Sequence, residues 1–325
     1  MNFRGFFSRT IPLLLFFFAI LWAGTVFCAA KAEDASAIAP TPTPAPITAP
    51  APTPFSILWL SDTQLMSYAY PSALTAMGEW LDQNLQGRNI IQAVQTGDAV
   101  EHGANPIQWE AFDQCLNSFY PRIPYLAIAG NHELGVREKN YSWFLDRAYV
   151  KALPETQVFE QGKAAYMTLH AGGRDFLILG AGWGAELTAV DWLNGVLQAH
   201  PGHTAILLFH TFIDQLGRLT PLGRQLYPLV VEPNPNVRMV LCGHIPGHFS
   251  RTDLLDDDGD GEPERKVHLM IFNYQHYTDR CGQLRLLTFF PQTGALRVET
   301  YSPVTGVRYR TNPYKELVYT VEELF

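Results

Sequence analysis

The stretch Phe55-Ser56-Ile57-Leu58-Trp59-Leu60-Ser61-Asp62-Thr63-Gln64 sets the class of fold. Residues 55–60 form an apolar run of strand length, and the polar triplet Asp62-Thr63-Gln64 follows at its end. A nearly continuous apolar strand belongs in a sheet covered on both faces, because a half-wet strand alternates polar and apolar residues. The same pattern recurs downstream. Strands predicted at 90–94, 125–129, 205–209 and 238–242 run into Gly97-Asp98, Gly130-Asn131-His132-Glu133, His210 and Gly243-His244. Open α/β sheets bind ligands beyond the carboxyl ends of their strands. Five such ends carrying Asp, Asn or His therefore converge on one point.

Between these strands the period changes from two to 3.6. Leu74, Met77, Trp80, Leu81 and Leu85 share one helical face, and a second helix is expected at 107–119. Later, 164–169 and 176–179 read as a hairpin across Gly172-Gly173, with a helix at 189–199. Strands at 267–273, 283–290 and 295–301 close the pattern. The expectation is one α/β domain over residues 55–310, with two mixed β-sheets sandwiched between helices (α/β/β/α) and a tail at 311–325. No internal repeat is visible.

Ahead of this domain, Arg4 and Arg9 precede an apolar run at 11–27, and Cys28-Ala29-Ala30 supplies small residues. That is the layout of a signal peptide over residues 1–30, with an uncleaved N-terminal membrane anchor as the alternative. A lipoprotein reading of Cys28 is disfavoured by the bulky Phe27. Residues 31–54 form an Ala/Thr/Pro-rich linker, extended because repeated prolines remove donors. The location implied is periplasmic or extracellular. The formal charge of −8 becomes −10 once residues 1–30, with two arginines and no acids, are removed. No Lys/Arg cluster is present, which argues against nucleic acid as a partner. The remaining cysteines, Cys115, Cys242 and Cys281, lack metal-ligand spacing; one disulfide is allowed, without a preferred pair.

The chemistry lies in the ordered set of strand-end residues. Carboxylate, carboxamide and imidazole groups around a shared carboxylate are what a two-metal hydrolase needs. A glycine before a ligand lets the chain turn sharply, so the backbone approaches the site closely. The order resembles the calcineurin-like metallophosphoesterases, whose motifs run Asp-x-His, Gly-Asp, Gly-Asn-His-Asp/Glu, His, then Gly-His-x-His. It bears a closer resemblance to a bacterial, often exported subgroup whose first motif is Asp-Thr-Gln, here Asp62-Thr63-Gln64, with Tyr274-Gln275 and Thr300-Tyr301-Ser302-Pro303 further matches. The resemblance implies two divalent ions (Mn, Fe, Mg or Zn). Asp98 would bridge them, Asn131, His210 and His244 would complete one position, and Asp62 with Gln64 would hold the other. His132 would serve the phosphate as proton donor or charge stabiliser, oriented by Glu101. The implied activity is hydrolysis of a phosphate ester, mono- or diester, by attack of a metal-activated hydroxide on phosphorus.

Two departures weaken one position. Pro246 stands where the family places a second His, and Gln64 replaces an imidazole with an amide oxygen. An oxygen-rich set suits Mn or Mg better than Zn, and His248 is a candidate substitute ligand. The competing reading is a catalytically degenerate binding protein on the same fold. A serine-hydrolase elbow of Gly-x-Ser-x-Gly type is absent. The acidic run 256–262 has calcium-loop spacing at Asp256, Asp258 and Asp260, but Val267 stands where a bidentate Glu belongs. It reads as a solvated hairpin tip. Trp183 is open between core and cleft wall, and His170, His200, His203, His268 and His276 have no motif context.

Overall fold

The computed structural model describes residues 53–135, 139–275, 282–308, 318–321 and 324. The expected signal segment, nearly all of the linker, most of the tail, His276 and Cys281 lie outside them. Among the described residues no helix is long and apolar enough to cross a membrane.

The opening run forms β1 (Phe55–Leu60), buried throughout. Its side chains divide by the period of two: Phe55, Ile57 and Trp59 face one apolar cluster, Leu58 and Leu60 another. Helices α1 (Gln64–Ala69) and α2 (Pro71–Asn84) follow, then β2 (Ile90–Gln95), α3 (Pro106–Leu116) and β3 (Tyr125–Ala127). Prolines open α2 and α3 at their first positions, where no N–H partner is missed, and Asn105 caps α3 by accepting from the Ile107 and Gln108 amides. Three short helices come next or soon after, α4 (Asn131–Leu134), α5 (Tyr141–Leu145) and α6 (Ala148–Lys151), which apolar periodicity alone did not reveal. Then come β4 (Val158–Phe159), β5 (Ala164–Ala171), β6 (Arg174–Ala181), α7 (Val190–Ala199), β7 (Thr204–Phe209), α8 (Pro221–Leu226) and β8 (Val237–Cys242). The last strands are β9 (Gly247–Leu255), β10 (Arg265–Asn273), β11 (Leu284–Phe290), β12 (Ala295–Ser302), β13 (Val307–Arg308) and β14 (Val318–Val321).

Two mixed sheets result. The first runs β13-β12-β11-β1-β2-β3 with β14 also on β12; the second runs β4-β5-β6-β7-β8-β10-β9. In the first, β1, β2 and β3 are parallel, and β11 joins β1 antiparallel. In the second, β6, β7, β8 and β10 are parallel. Phe55, Trp59, Val94 and Phe289 of one sheet share a core with Phe176, Leu208, Met239 and Phe272 of the other. Leu74, Met77, Leu81 and Leu85, predicted on one helical face, are buried against the outer side of the first sheet together with Trp109 and Phe112 of α3. Leu193 and Leu197 of α7 and Leu226 of α8 cover the second. The architecture is therefore the expected sandwich of two mixed sheets between helices.

Cys115 and Cys242 are buried free thiols in different clusters. Burial pushes both up to about 12, which marks them as packing residues. The acidic run forms the exposed tip between β9 and β10, as expected.

Candidate metal centre

Carboxyl ends of strands from both sheets supply the side chains: β1, β2 and β3 lead to Asp62, Asp98 and Asn131-His132, β7 and β8 to His210 and His244. Asp98 is the hub. Its Oδ2 lies 3.2 Å from His210 Nε2 and accepts from Gln64 Nε2 at 3.2 Å, and its Oδ1 accepts the His132 backbone N–H at 3.0 Å. His210 Nδ1 is 2.7 Å from the Thr96 carbonyl and donates to it, which fixes the tautomer and turns Nε2 inward. That Nε2 is 3.1 Å from Asn131 Oδ1 and 3.2 Å from His244 Nδ1. One ligating atom each from Asp98, His210 and His244 lie within 4.8 Å of one another.

Asp62 sits beside this trio. Both its oxygens accept the His244 N–H, at 3.0 and 3.1 Å, and Oδ2 accepts from Ser61 Oγ at 2.5 Å. Behind it a chain of donors runs from Trp59 Nε1 to Thr96 Oγ1 (3.1 Å) and on to Ser61 Oγ (2.6 Å), so the core of β1 and β2 holds the carboxylate's orientation. The His244 carbonyl accepts from Asn273 Nδ2 at 3.0 Å, which ties the fifth loop to β10.

The backbone is strained where the ligand-type groups sit. Asp62, Asp98 and His244 have φ of 51°, 54° and 67°, the left-handed region that side chains with a Cβ seldom enter. Glycines precede Asp98 and His244, and another precedes Asn131, where any side chain would crowd the site. A Cβ on Gly97 would lie 2.6 Å from His210 Nδ1, one on Gly130 would strike Asp98 Oδ1, and one on Gly243 would strike Asp62 Oδ2 and Ser61 Oγ.

Glu133 has no role in the sequence reading and proves central. Its buried carboxylate accepts backbone N–H bonds from Asp98 (2.8 Å), Gly130 (2.6 Å) and Val100 (3.1 Å), clamping the β2 and β3 loops together. Burial, then the Asp98 charge, push its carboxyl up to about 7. Glu186 was also unmarked. It is buried a short way beyond the cleft residue Gly184, and burial raises it to about 7. A carboxylate recognised by backbone amides leaves no pairing signature in a sequence.

The arrangement fits a divalent cation. Gln64 Oε1 is buried with no hydrogen-bond partner, a defect costing ~1–3 kcal/mol unless something binds there. Asn131 Oδ1, His210 Nε2 and His244 Nδ1 bring further lone pairs against the Asp98 carboxylate. Burial lowers His244 to about 4, with His210 adding to the effect, so its imidazole is neutral and available. Burial opposes charge on His210 too, yet Asp98 and Asp62 outweigh it and push the group up to about 10. The buried carboxylates thus demand a positive charge at this point.

A cleft of about 640 Å³ opens over the centre, lined by Glu101, His102, Asn131, His132, Asn140 and Trp183 among others. His132 Nε2 is 3.9 Å from Asp98 Oδ2. Its Nδ1 is held chiefly by the Glu101 carbonyl at 2.9 Å, with the Glu101 carboxylate at 3.5 Å, so the backbone and not only the acid orients it. Trp183 is a cleft wall: its ring centroid lies 4.9 Å from that of His244 and 5.6 Å from that of His210. His248 lies on β9, stacked on Tyr274 at 5.1 Å, outside the 4.8 Å trio. Pro246 is exposed.

Fold and centre together define the metal-dependent phosphoesterases built on paired mixed sheets. The family model for calcineurin-like phosphoesterases matches residues 55–248, and the chain belongs to that family. The uncharacterized protein YvnB of Bacillus subtilis (strain 168) is 35% identical over 268 residues, 80% of this chain and 21% of that protein. A probable cyclic nucleotide phosphodiesterase of Moraxella catarrhalis (strain BBH18) is 26% identical over 163 residues, 46% of this chain and 56% of that one. The chain thus spans about a fifth and about half of the lengths of these two relatives. Among solved structures, a purple acid phosphatase from yellow lupin seeds superposes with a TM-score of 0.57 at 14% identity, covering 83% of this chain and 54% of that one. GAP50, the anchor in the inner membrane complex of Plasmodium, gives 0.51 at 12% identity, covering 83% and 88%. These two share the fold.

Proposed function

We propose that this chain hydrolyses phosphoric esters outside the cytoplasm, using two divalent ions that Asp98 and the strand-end residues around it would hold. The observation that carries the reading is the meeting of Asp98 Oδ2, Asn131 Oδ1 and His244 Nδ1 around His210 Nε2, under a cleft with His132 on its wall. Membership of the family and the Moraxella relative's description support it. Export rests on the basic-then-apolar residues 1–30.

When bound, divalent ions supply Lewis acidity to phosphoryl oxygens and lower the pKa of a water in the site. Asn131, His210 and His244 with Asp98 would hold an ion in a nitrogen-rich position, and Asp62, Gln64 and Asp98 would hold one in an oxygen-rich position best matched to Mn or Mg. His132 holds a proton at Nε2 for the departing oxygen. Burial lowers its pKa, but Asp98 and Glu101 outweigh burial and raise it overall. Trp183 closes one side of the cleft and limits water. A second reading has a specific observation behind it: exposed Pro246 offers no ligand, leaving the oxygen-rich position without an imidazole. The chain would then be a binding protein with one weakened position.

Metal analysis of Mn-loaded protein, with hydrolysis of mono-aryl and bis-aryl phosphates, separates the two. The expected result is two ions per chain, turnover of at least one ester, and a loss of ~100-fold or more in Asp98→Asn. Well-folded wild type holding at most one ion and hydrolysing neither ester would overturn the enzyme reading.

A further inference from the structure

One wall of the cleft is not used by the ions or by the proton donor. His132 is seated against the loop after β2: the Glu101 carbonyl holds its Nδ1 at 2.9 Å, and its own carbonyl accepts the Gly103 N–H at 3.2 Å. Between these two contacts stands His102, which lines the cleft. Its backbone is fixed. The N–H is given to buried Gln108 Oε1 at 2.8 Å, and the carbonyl accepts from the Asn105 N–H at 2.8 Å. Its exposed ring makes no hydrogen bond or ion pair to any described residue. That ring meets Tyr68 of α1 edge to face, with 5.6 Å between centroids.

Tyr68 is 58% exposed, although α1 begins at Gln64, one of the residues that would hold an ion. Met66 and Ser67 of the same helix are buried, so Tyr68 is not the residue that packs α1 onto the core. A lone exposed apolar side chain is ordinary. Two exposed rings held together beside a proton donor leave aromatic surface in water at a place where a ligand could cover it. Trp183, the other aromatic of the cleft, faces the imidazoles of His210 and His244 instead.

We propose that Tyr68 and His102 form the leaving-group subsite and select substrates whose departing oxygen carries a flat aromatic or heteroaromatic ring. The inference rests on the phosphoesterase reading above, because it takes the departing oxygen to lie at His132 Nε2. A group on that oxygen leaves the reacting centre on the side of Glu101 and His102. The two rings offer it a face and an edge, the geometry aromatic pairs prefer, and the fixed backbone of His102 lowers the ordering cost of binding. The Glu101 carboxylate on the same wall opposes a second negative charge on the leaving group.

Calorimetry on the Mn-loaded full chain tests this with phenyl-, cyclohexyl- and methylphosphonate, which share one head group and resist hydrolysis. Phenyl and cyclohexyl carry the same number of carbons, but only phenyl is flat. Phenylphosphonate should bind ~10-fold tighter than methylphosphonate and ~3-fold or more tighter than cyclohexylphosphonate. Replacing both rings, Tyr68→Ala with His102→Ala, should bring the phenyl-to-cyclohexyl ratio to about 1, while Tyr68→Phe should keep it. Both positions are exposed, so the replacements leave folding intact. Cyclohexylphosphonate matching phenylphosphonate in wild type, or a ratio that survives the double replacement, would overturn the subsite and leave the phosphoesterase reading standing. Failure of all three to bind Mn-loaded wild type would overturn that reading, and the subsite with it.

Discussion

Replacing Glu133 with alanine should cost more stability than any single change on the cleft wall. Three backbone N–H groups, those of Asp98, Val100 and Gly130, end on this one carboxylate. Removing it leaves all three buried without an acceptor, at ~1–3 kcal/mol each, or roughly 3–6 kcal/mol after partial relaxation. Domain stabilities are only about 5–15 kcal/mol, so Glu133→Ala should lie near the threshold of folding. Glu133→Gln keeps the volume and the two bonds at Oε2 but faces an amide NH₂ against the Val100 N–H. One bond is lost, about 1–3 kcal/mol, offset in part because the buried charge and its repulsion with Asp98 disappear. Equilibrium urea unfolding in excess chelator measures both variants against wild type. Calorimetric titration with Mn should show affinity falling ~10–100-fold, since the loops carrying Asp98 and Asn131 lose their common tether. An alanine variant within ~1 kcal/mol of wild type, with Mn affinity unchanged, would refute the clamp.

Other outcomes follow from the same geometry. Gly243→Ala should fold yet lose ~10-fold or more in Mn affinity, because its Cβ displaces Asp62 and Ser61; unchanged affinity would show that the loop relaxes freely. Trp183→Ala should raise KM more than it lowers kcat, and Mn binding should quench Trp183 fluorescence in the wild type, given its contact with both imidazoles. His268 is buried, and burial, then Lys266 and Arg238, lower it from near 6.5 to about 4. The unfolded chain therefore binds the extra proton between those values, so stability is full above pH 6.5 and falls as pH drops towards 4. The loss approaches roughly 3 kcal/mol. His268→Leu should flatten that part of the pH profile measured by urea unfolding, and an unchanged slope would assign the acid sensitivity elsewhere.

Much of the sandwich was legible because burial on both faces writes a continuous apolar strand. Residues 55–60 need no partner to be read that way, and the helical face of Leu74, Met77, Leu81 and Leu85 is buried as its period requires. Sheet membership was not legible. The antiparallel pairing of β11 with β1 joins residues more than 200 positions apart, such as Phe55 and Phe289, and nothing local encodes it. In the centre, Asp62, Asp98, Asn131, His132, His210 and His244 could be read from their places after strands, with glycines marking sharp turns. Glu133, Asn273 and the Glu101 carbonyl could not, since each acts through backbone groups. The short helices α4, α5 and α6 carry too few turns for a period to show.

Asp62 and His244 touch across 182 residues of chain, and the donors that surround Asp98 come from both sheets. No part of the chain shorter than the whole sandwich presents the complete set. Binding by the complete ligand set therefore requires the folded sandwich. On the export proposed above, with the chain crossing a membrane unfolded, the ion it receives would be chosen by the compartment in which it folds. Its metal content would then record where maturation happened as much as what its ligands prefer.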